Sequence, residues 1–247
     1  MLELFRDLFA PPRHMILLVI AAWLGLTLAE KRTEHHGISK DDLNNITFYA
    51  LIAFVVGGRL THVLQNISAF MKSPLGIVSI NPDLFDPFGG LAIAAITALI
   101  YGQRKQLAFW NTLDALTPFF AVVVLGLGLS HLAAGTSFGK PTDLPWGIDL
   151  WNAVRHPTQI YEVLASLLIL CLLWFLKPNP RPGMSFLIFA ALTSLSQLII
   201  QAFRGDSTLL AGGLRQGQVI AWVVLAVCFV LIEARLAENK REQEQAS

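Results

Sequence analysis

The sequence predicts an all-α integral membrane protein of about seven transmembrane helices with irregular outer loops. Composition is the first reason. The chain has 247 residues, of which 54% are hydrophobic and only 14% charged, against roughly 25% charged in an ordinary soluble domain. A mean hydropathy of +0.57 places more apolar surface on the chain than a core of this size absorbs. The second reason is that runs approaching the roughly 20 apolar residues needed to cross a bilayer recur between polar breaks. The third is an asymmetry of loops, short and Pro-rich on one side, long and irregular on the other. The same composition excludes other classes. With 18 Lys and Arg against 17 Asp and Glu, the formal charge of +1 advertises no nucleic-acid partner. Cys171 and Cys228 each sit inside an apolar run, so they read as packing residues and no disulfide framework is expected.

The expected spans follow in order. The first covers about 14–29; Arg6 and Arg13 precede it, and Glu30, Lys31 and Arg32 follow without a small-residue cleavage site, so it reads as an uncleaved span and not a signal peptide. The second covers about 46–64. The third, about 88–101, is short and reads as tilted or partly re-entrant. The fourth covers about 113–134, the fifth 156–176, the sixth 184–203 and the last 218–236. No repeat of 20 to 50 residues is apparent, and one transmembrane domain over 1–247 is expected.

Basic residues set the orientation. Lys31, Arg32, Lys40, Arg104, Lys105, Lys177, Arg181, Arg235, Lys240 and Arg241 fall on one side, which is read as cytoplasmic. Arg6, Arg13, Lys72, Lys140, Arg155, Arg204 and Arg215 form the smaller, outer set. The amino terminus is therefore expected outside and the carboxyl terminus inside. KPNPRPG, from Lys177 to Gly183, reads as a tight cytoplasmic turn. The outer loops at 65–87 and 135–155 are long; the second holds Trp146 and Trp151 as interface aromatics. The polar tail at 237–247, AENKREQEQAS, is expected to be cytoplasmic and frayed. Function is expected on the outer side.

Charged groups at membrane depth cost at least about 2.5 to 3.5 kcal/mol on insertion scales, so each asks for a partner or a purpose. GGRLTH places Arg59 and His62 on one helix face behind Gly57 and Gly58; the plainer alternative is Arg59 snorkelling or bound to a helix carbonyl. RHPTQIYE, Arg155 to Glu162, places Pro157 to open the fifth span, and a helix amino terminus beside Arg155 makes an anion site. Tyr161 and Glu162 lie about one turn further, and Glu162 needs a basic partner such as Arg59. The alternative for this segment is an interfacial cap. Arg204 ends the sixth span in AFRGD, on the side of Gln197 and Gln201; dipole complementation at a helix end would account for it equally well. His131, in GLSHLAAG, is either a packing histidine or a base. His35 and His36 are adjacent and not spaced to converge, so neither a metal site nor a cofactor is expected. No phosphate-cradling loop or nucleophile elbow appears.

Taken together, GGRL at Gly57, GGLAIA at Gly89, GKPTDLPWGI at Gly139, RHPTQIYE at Arg155, RPG at Arg181, and AFRGD with the later GQ at Gly217 resemble the bacterial prolipoprotein diacylglyceryl transferases. The order and spacing match over nearly the whole chain. The resemblance implies a seven-span protein of the bacterial inner membrane with an outer active site. It further implies transfer of a diacylglyceryl group from phosphatidylglycerol to the cysteine thiol of a lipoprotein precursor. On that basis Arg59, Arg155 and Arg204 would bind the lipid phosphate, and His131 or His156 would act as base, with Tyr161 and Glu162 completing the catalytic set. Three family positions differ: Ala94 stands where a histidine is expected, and Gly128 and His131 where an arginine and an asparagine are expected. The first span has His14 near an expected tyrosine, and Gln201 replaces an acidic residue before Arg204. Removing one such group commonly costs a factor of about 10² to 10³ in rate. Two functional readings therefore stand: a transferase with altered or reduced activity, or a degenerate relative that binds lipid or a lipoprotein precursor without turnover. A transporter, the third class, would need a polar path through both faces; the loop asymmetry argues against one.

Overall fold

A computed structural model describes residues 2–78, 84–175, 181–210 and 212–246. Nine α-helices lie among the described residues: α1 (Leu2–Leu8), α2 (Met15–Glu30), α3 (Lys40–Gln65), α4 (Ile67–Lys72), α5 (Pro87–Arg104), α6 (Phe109–Ala134), α7 (Thr158–Phe175), α8 (Met184–Phe203) and α9 (Gln216–Ala246). Each of the seven apolar segments expected from the sequence coincides with one of them. Five, α3, α6, α7, α8 and the Gln216–Ala237 part of α9, are long and apolar enough to cross a membrane; α2 is apolar but has 16 residues. Lys177, in the expected turn, lies outside the described residues.

Three expectations change. Between α6 and α7 the chain forms a hairpin, β1 (Ile148–Leu150) antiparallel to β2 (Ala153–Arg155), so the fold is helical but not purely α. Trp151 and Asn152 make its two-residue turn, both with positive φ (53° and 60°), the geometry that matches the twist of antiparallel strands. The segment after α3 holds α4 and a 3₁₀ turn (Pro74–Val78) where only irregular chain was expected. The polar tail, expected to fray, continues α9 to Ala246.

The chain divides into two compact units, Met1–Lys31 with Leu113–Ser247, and Arg32–Thr112. In the second unit, Ser39 caps α3 by accepting from the Asp42 N–H at 3.0 Å, and Asp86 caps α5 at the Gly89 N–H with Pro87 next to it. Glycines let α3 and α5 approach closely: a Cβ on Gly57 would stand 2.7 Å from Ile93, and one on Gly90 2.7 Å from the Phe54 carbonyl. The two paired-glycine motifs are thus packing surfaces for each other, and Ala94 is buried among them.

In the first unit α6 is the central helix. Its apolar window is 56% buried, whereas that of α9 is 11% buried, so α9 presents Trp222, Phe229 and Val230 outward as a lipid-facing helix would. Ala121, Ile169 and Phe189 join α6, α7 and α8 in one apolar cluster. Gly25 brings α2 against α6, where a Cβ would lie 2.9 Å from the Phe119 carbonyl. The start of α8 is capped from α6: the buried Asp114 accepts from the N–H groups of Gly183 (2.6 Å) and Phe186 (2.8 Å). Gly183 can take this role because it adopts φ 87°, which a residue with a Cβ resists.

Candidate active site

Three helices of the first unit deliver one cluster of charge. Gly128 on α6 has no side chain to hold α7 away; a Cβ there would stand 3.0 Å from Val163 and 3.4 Å from the Glu162 Cβ. One turn on, at i+3 and on the same helix face, His131 meets Glu162 with 2.8 Å between Nδ1 and Oε2. An ionised carboxylate only accepts, so Nδ1 carries a proton in this pair and, in the neutral imidazole, Nε2 holds the lone pair. Glu162 is 4% exposed and His131 33%: the carboxylate is dry while the imidazole opens outward. From the end of α8, Arg204 brings Nη1 to 3.9 Å from Glu162 Oε1 and donates through Nε to Asp206 at 2.9 Å.

Within the first unit Glu162 finds basic partners in His131 and Arg204. Arg204 is the C-cap of α8, where the sequence left dipole complementation as an even alternative, and it also pairs directly with charge. The residue leaves the helix with extended backbone (φ −68°, ψ 140°) and directs its guanidinium at two carboxylates. Its main chain is gripped by the segment after α6: Lys140 N–H donates to the Phe203 carbonyl and Gly205 N–H to the Phe138 carbonyl, each at 2.8 Å. Close passage there needs glycine, since a Cβ on Gly205 would lie 2.8 Å from the Gly139 carbonyl. The GKPTD motif is thus a backbone clamp on the Arg204 turn.

The rest of RHPTQIYE builds the floor beside this cluster. Arg155 donates through Nε to the Leu150 carbonyl (2.9 Å) and through Nη1 to the Gly139 carbonyl (3.3 Å), and its guanidinium lies over Phe138 at 4.9 Å. Its fork is engaged in holding the hairpin. His156 packs on Phe203 with 5.1 Å between ring centroids, and its Nδ1 is buried without a hydrogen-bond partner. Tyr161 accepts from the Trp146 indole at 3.0 Å. Buried Thr158 donates to the Ser137 carbonyl and Gln159 to the Thr136 carbonyl at 2.9 Å, pinning the start of α7 to the strand that grips Arg204.

Arg59, in the second unit, donates to the carbonyls of Gly76, Ile77 (3.0 Å) and Leu84 (2.5 Å), with Phe70 5.7 Å from the guanidinium carbon. The guanidinium is thus bound to backbone carbonyls of the segment between α3 and α5. Sequence reasoning missed Asp206 and Asp114 as partners. Asp206 was visible as the aspartate of AFRGD; Asp114 carried only the signal of one carboxylate in an apolar run.

The chain matches the family model described as prolipoprotein diacylglyceryl transferase over residues 13–233. It is 28% identical over 232 residues to the phosphatidylglycerol–prolipoprotein diacylglyceryl transferase of Nitrosomonas europaea, covering 88% of this chain and 82% of that protein. To the proteins of the same name from Bordetella avium and Methylococcus capsulatus it is 29% identical (83% of each chain) and 27% identical (90% of this chain, 88% of the other). The match runs from two residues before α2 into α9 and takes in every helix that bears on the site. The chain belongs to the prolipoprotein diacylglyceryl transferase family.

Proposed function

We propose that this protein moves the diacylglyceryl group of phosphatidylglycerol onto the cysteine thiol of a lipoprotein precursor, with His131 as base. The observation that carries the reading is the His131–Glu162–Arg204 cluster. Glu162 holds the imidazole in the tautomer whose Nε2 is free to accept a proton, and a free thiol with a pKa near 8.5 needs such a base at neutral pH. The thiol proton passes to His131 as sulfur attacks the diacylglyceryl carbon. The S–C bond forms, the C–O bond to phosphate breaks, and the electron pair leaves with glycerol phosphate. Arg204 is the cation nearest to that developing charge. Arg155, His156 and Tyr161 shape the same wall, and Arg59 orders the outer segment of the second unit. The carboxylate is shared between an imidazole and a guanidinium, an arrangement suited to a proton and an anion.

The protein is read as a multi-pass component of the bacterial inner membrane, spanning it about seven times. The outer site, the amino terminus outside and the carboxyl terminus in the cytoplasm follow from the distribution of basic residues. A second reading, a lipid- or precursor-binding protein without turnover, is favoured by one observation: Ala94 is a buried residue of α5 and offers no acid or base. Membranes carrying the protein, labelled phosphatidylglycerol and a lipobox peptide separate the two. Transfer that disappears with His131→Ala and Arg204→Ala supports the enzyme. Retention of labelled lipid without transfer supports the binding protein and removes the catalytic roles.

A further inference from the structure

We propose that Arg215 is a positioning residue that acts through Arg204. The inference rests on the role of Arg204 given above. Arg215 directs Nη1 at the two carbonyls that end α8, those of Gln201 and Arg204, the second at 2.7 Å. Gln201 lies in the last turn of α8, where its carbonyl also accepts the Arg204 N–H at 3.4 Å, and Arg204 is the C-cap. Among the described residues Arg215 pairs with no carboxylate; its charge is committed to the main chain of the Arg204 turn.

The anchor is itself fixed. Arg215 bridges to Leu209, Gln216 N–H donates to the Thr208 carbonyl at 2.9 Å, and the Arg215 carbonyl accepts from Val219 as α9 begins at 3.1 Å. The neighbouring helix contact is tight, because a Cβ on Gly217 would stand 2.5 Å from the Gln201 amide, and Ser207 donates to Gln201 Oε1 at 3.0 Å. The Arg204 backbone is therefore held from two directions, by main-chain groups of Phe138 and Lys140 and by the side chain of Arg215. Only the second can be removed by a point substitution without touching the clamp. A guanidinium that spans the Gln201 and Arg204 carbonyls holds the Arg204 backbone against the last turn of α8, and so fixes the Cα–Cβ bond from which the Arg204 side chain extends. A small displacement of a charged group at a reacting centre can cost up to about 100-fold in rate.

The test is a cycle of unmodified protein, Arg204→Ala, Arg215→Ala and the double variant, read as transfer kinetics and as retention of labelled phosphatidylglycerol in nanodiscs. Arg215→Ala is expected to lower kcat by about 10- to 100-fold with KM for the peptide within about twofold, and to add less than about twofold to Arg204→Ala. Arg215→Gln, which keeps one amide donor, is expected to fall between and controls for a folding defect. Equal losses from Arg215→Ala with and without Arg204 overturn the proposal, as does an unchanged kcat. If the unmodified protein binds lipid without transferring it, the transferase reading fails while the same non-additivity in retention still decides the role of Arg215. A protein that does neither overturns both.

Discussion

Glu162→Gln is the most informative single change, because it alters charge and proton bookkeeping while leaving shape. The native carboxylate lies 2.8 Å from His131 Nδ1 and is 4% exposed, so water does not replace it readily. As a carboxylate it can only accept, which fixes the proton on Nδ1 and the lone pair on Nε2. A glutamine can present its NH₂ to Nδ1 instead, and that places the imidazole proton on Nε2, where it blocks the base. The change also removes the charge that faces Arg204 Nη1 at 3.9 Å. In catalytic sites where a buried carboxylate orients a histidine, loss of that charge costs about 10² to 10⁴ in rate, or about 2.7 to 5.5 kcal/mol of barrier at 1.36 kcal/mol per tenfold. Single-turnover transfer from labelled phosphatidylglycerol in nanodiscs measures it, with thermal unfolding in the same nanodiscs as the control for folding. A Glu162→Gln protein that folds and transfers within about threefold of the unmodified rate would refute the assignment of His131 as an oriented base.

Three further outcomes follow from other contacts. Asp114→Ala strips the cap from the Gly183 and Phe186 N–H groups and should lower stability by about 1 to 3 kcal/mol, seen as a lower unfolding midpoint in detergent with transfer retained at low temperature. Gly128→Leu drives a side chain into Val163 and the Glu162 Cβ; separating α6 from α7 breaks the His131–Glu162 contact, so transfer should fall by about 10²-fold while the chain still inserts. Arg59→Met leaves the Gly76, Ile77 and Leu84 carbonyls without their donor and should speed proteolysis between Ser73 and Ile77, compared by digestion of nanodisc samples. Unchanged digestion would show that the guanidinium does not order that segment.

The sequence by itself determined that the chain is helical and apolar enough for a bilayer, and where its seven long or apolar helices lie. Length and periodic hydrophobicity are local properties, written in consecutive residues. It also determined the family, because GGRL, RHPTQIYE and AFRGD are contiguous. It named His131, Glu162 and Arg204, since ionisable groups in apolar surroundings stand out one by one. Their partners were not legible. It is the absence of a side chain at Gly128 that lets α7 come close enough for His131 to reach Glu162. Arg155 looked like a free cation and is bound to the Leu150 and Gly139 carbonyls of the hairpin and its neighbouring strand. The hairpin was hidden because its strands have three residues each, too short to show a period of two. Arg215 resembled a loop cation until the end of α8 was seen to turn its carbonyls toward it. Which charge meets which depends on helix approach and on where backbone carbonyls point, and both are set by contacts among residues far apart in the chain, which only the tertiary structure decides.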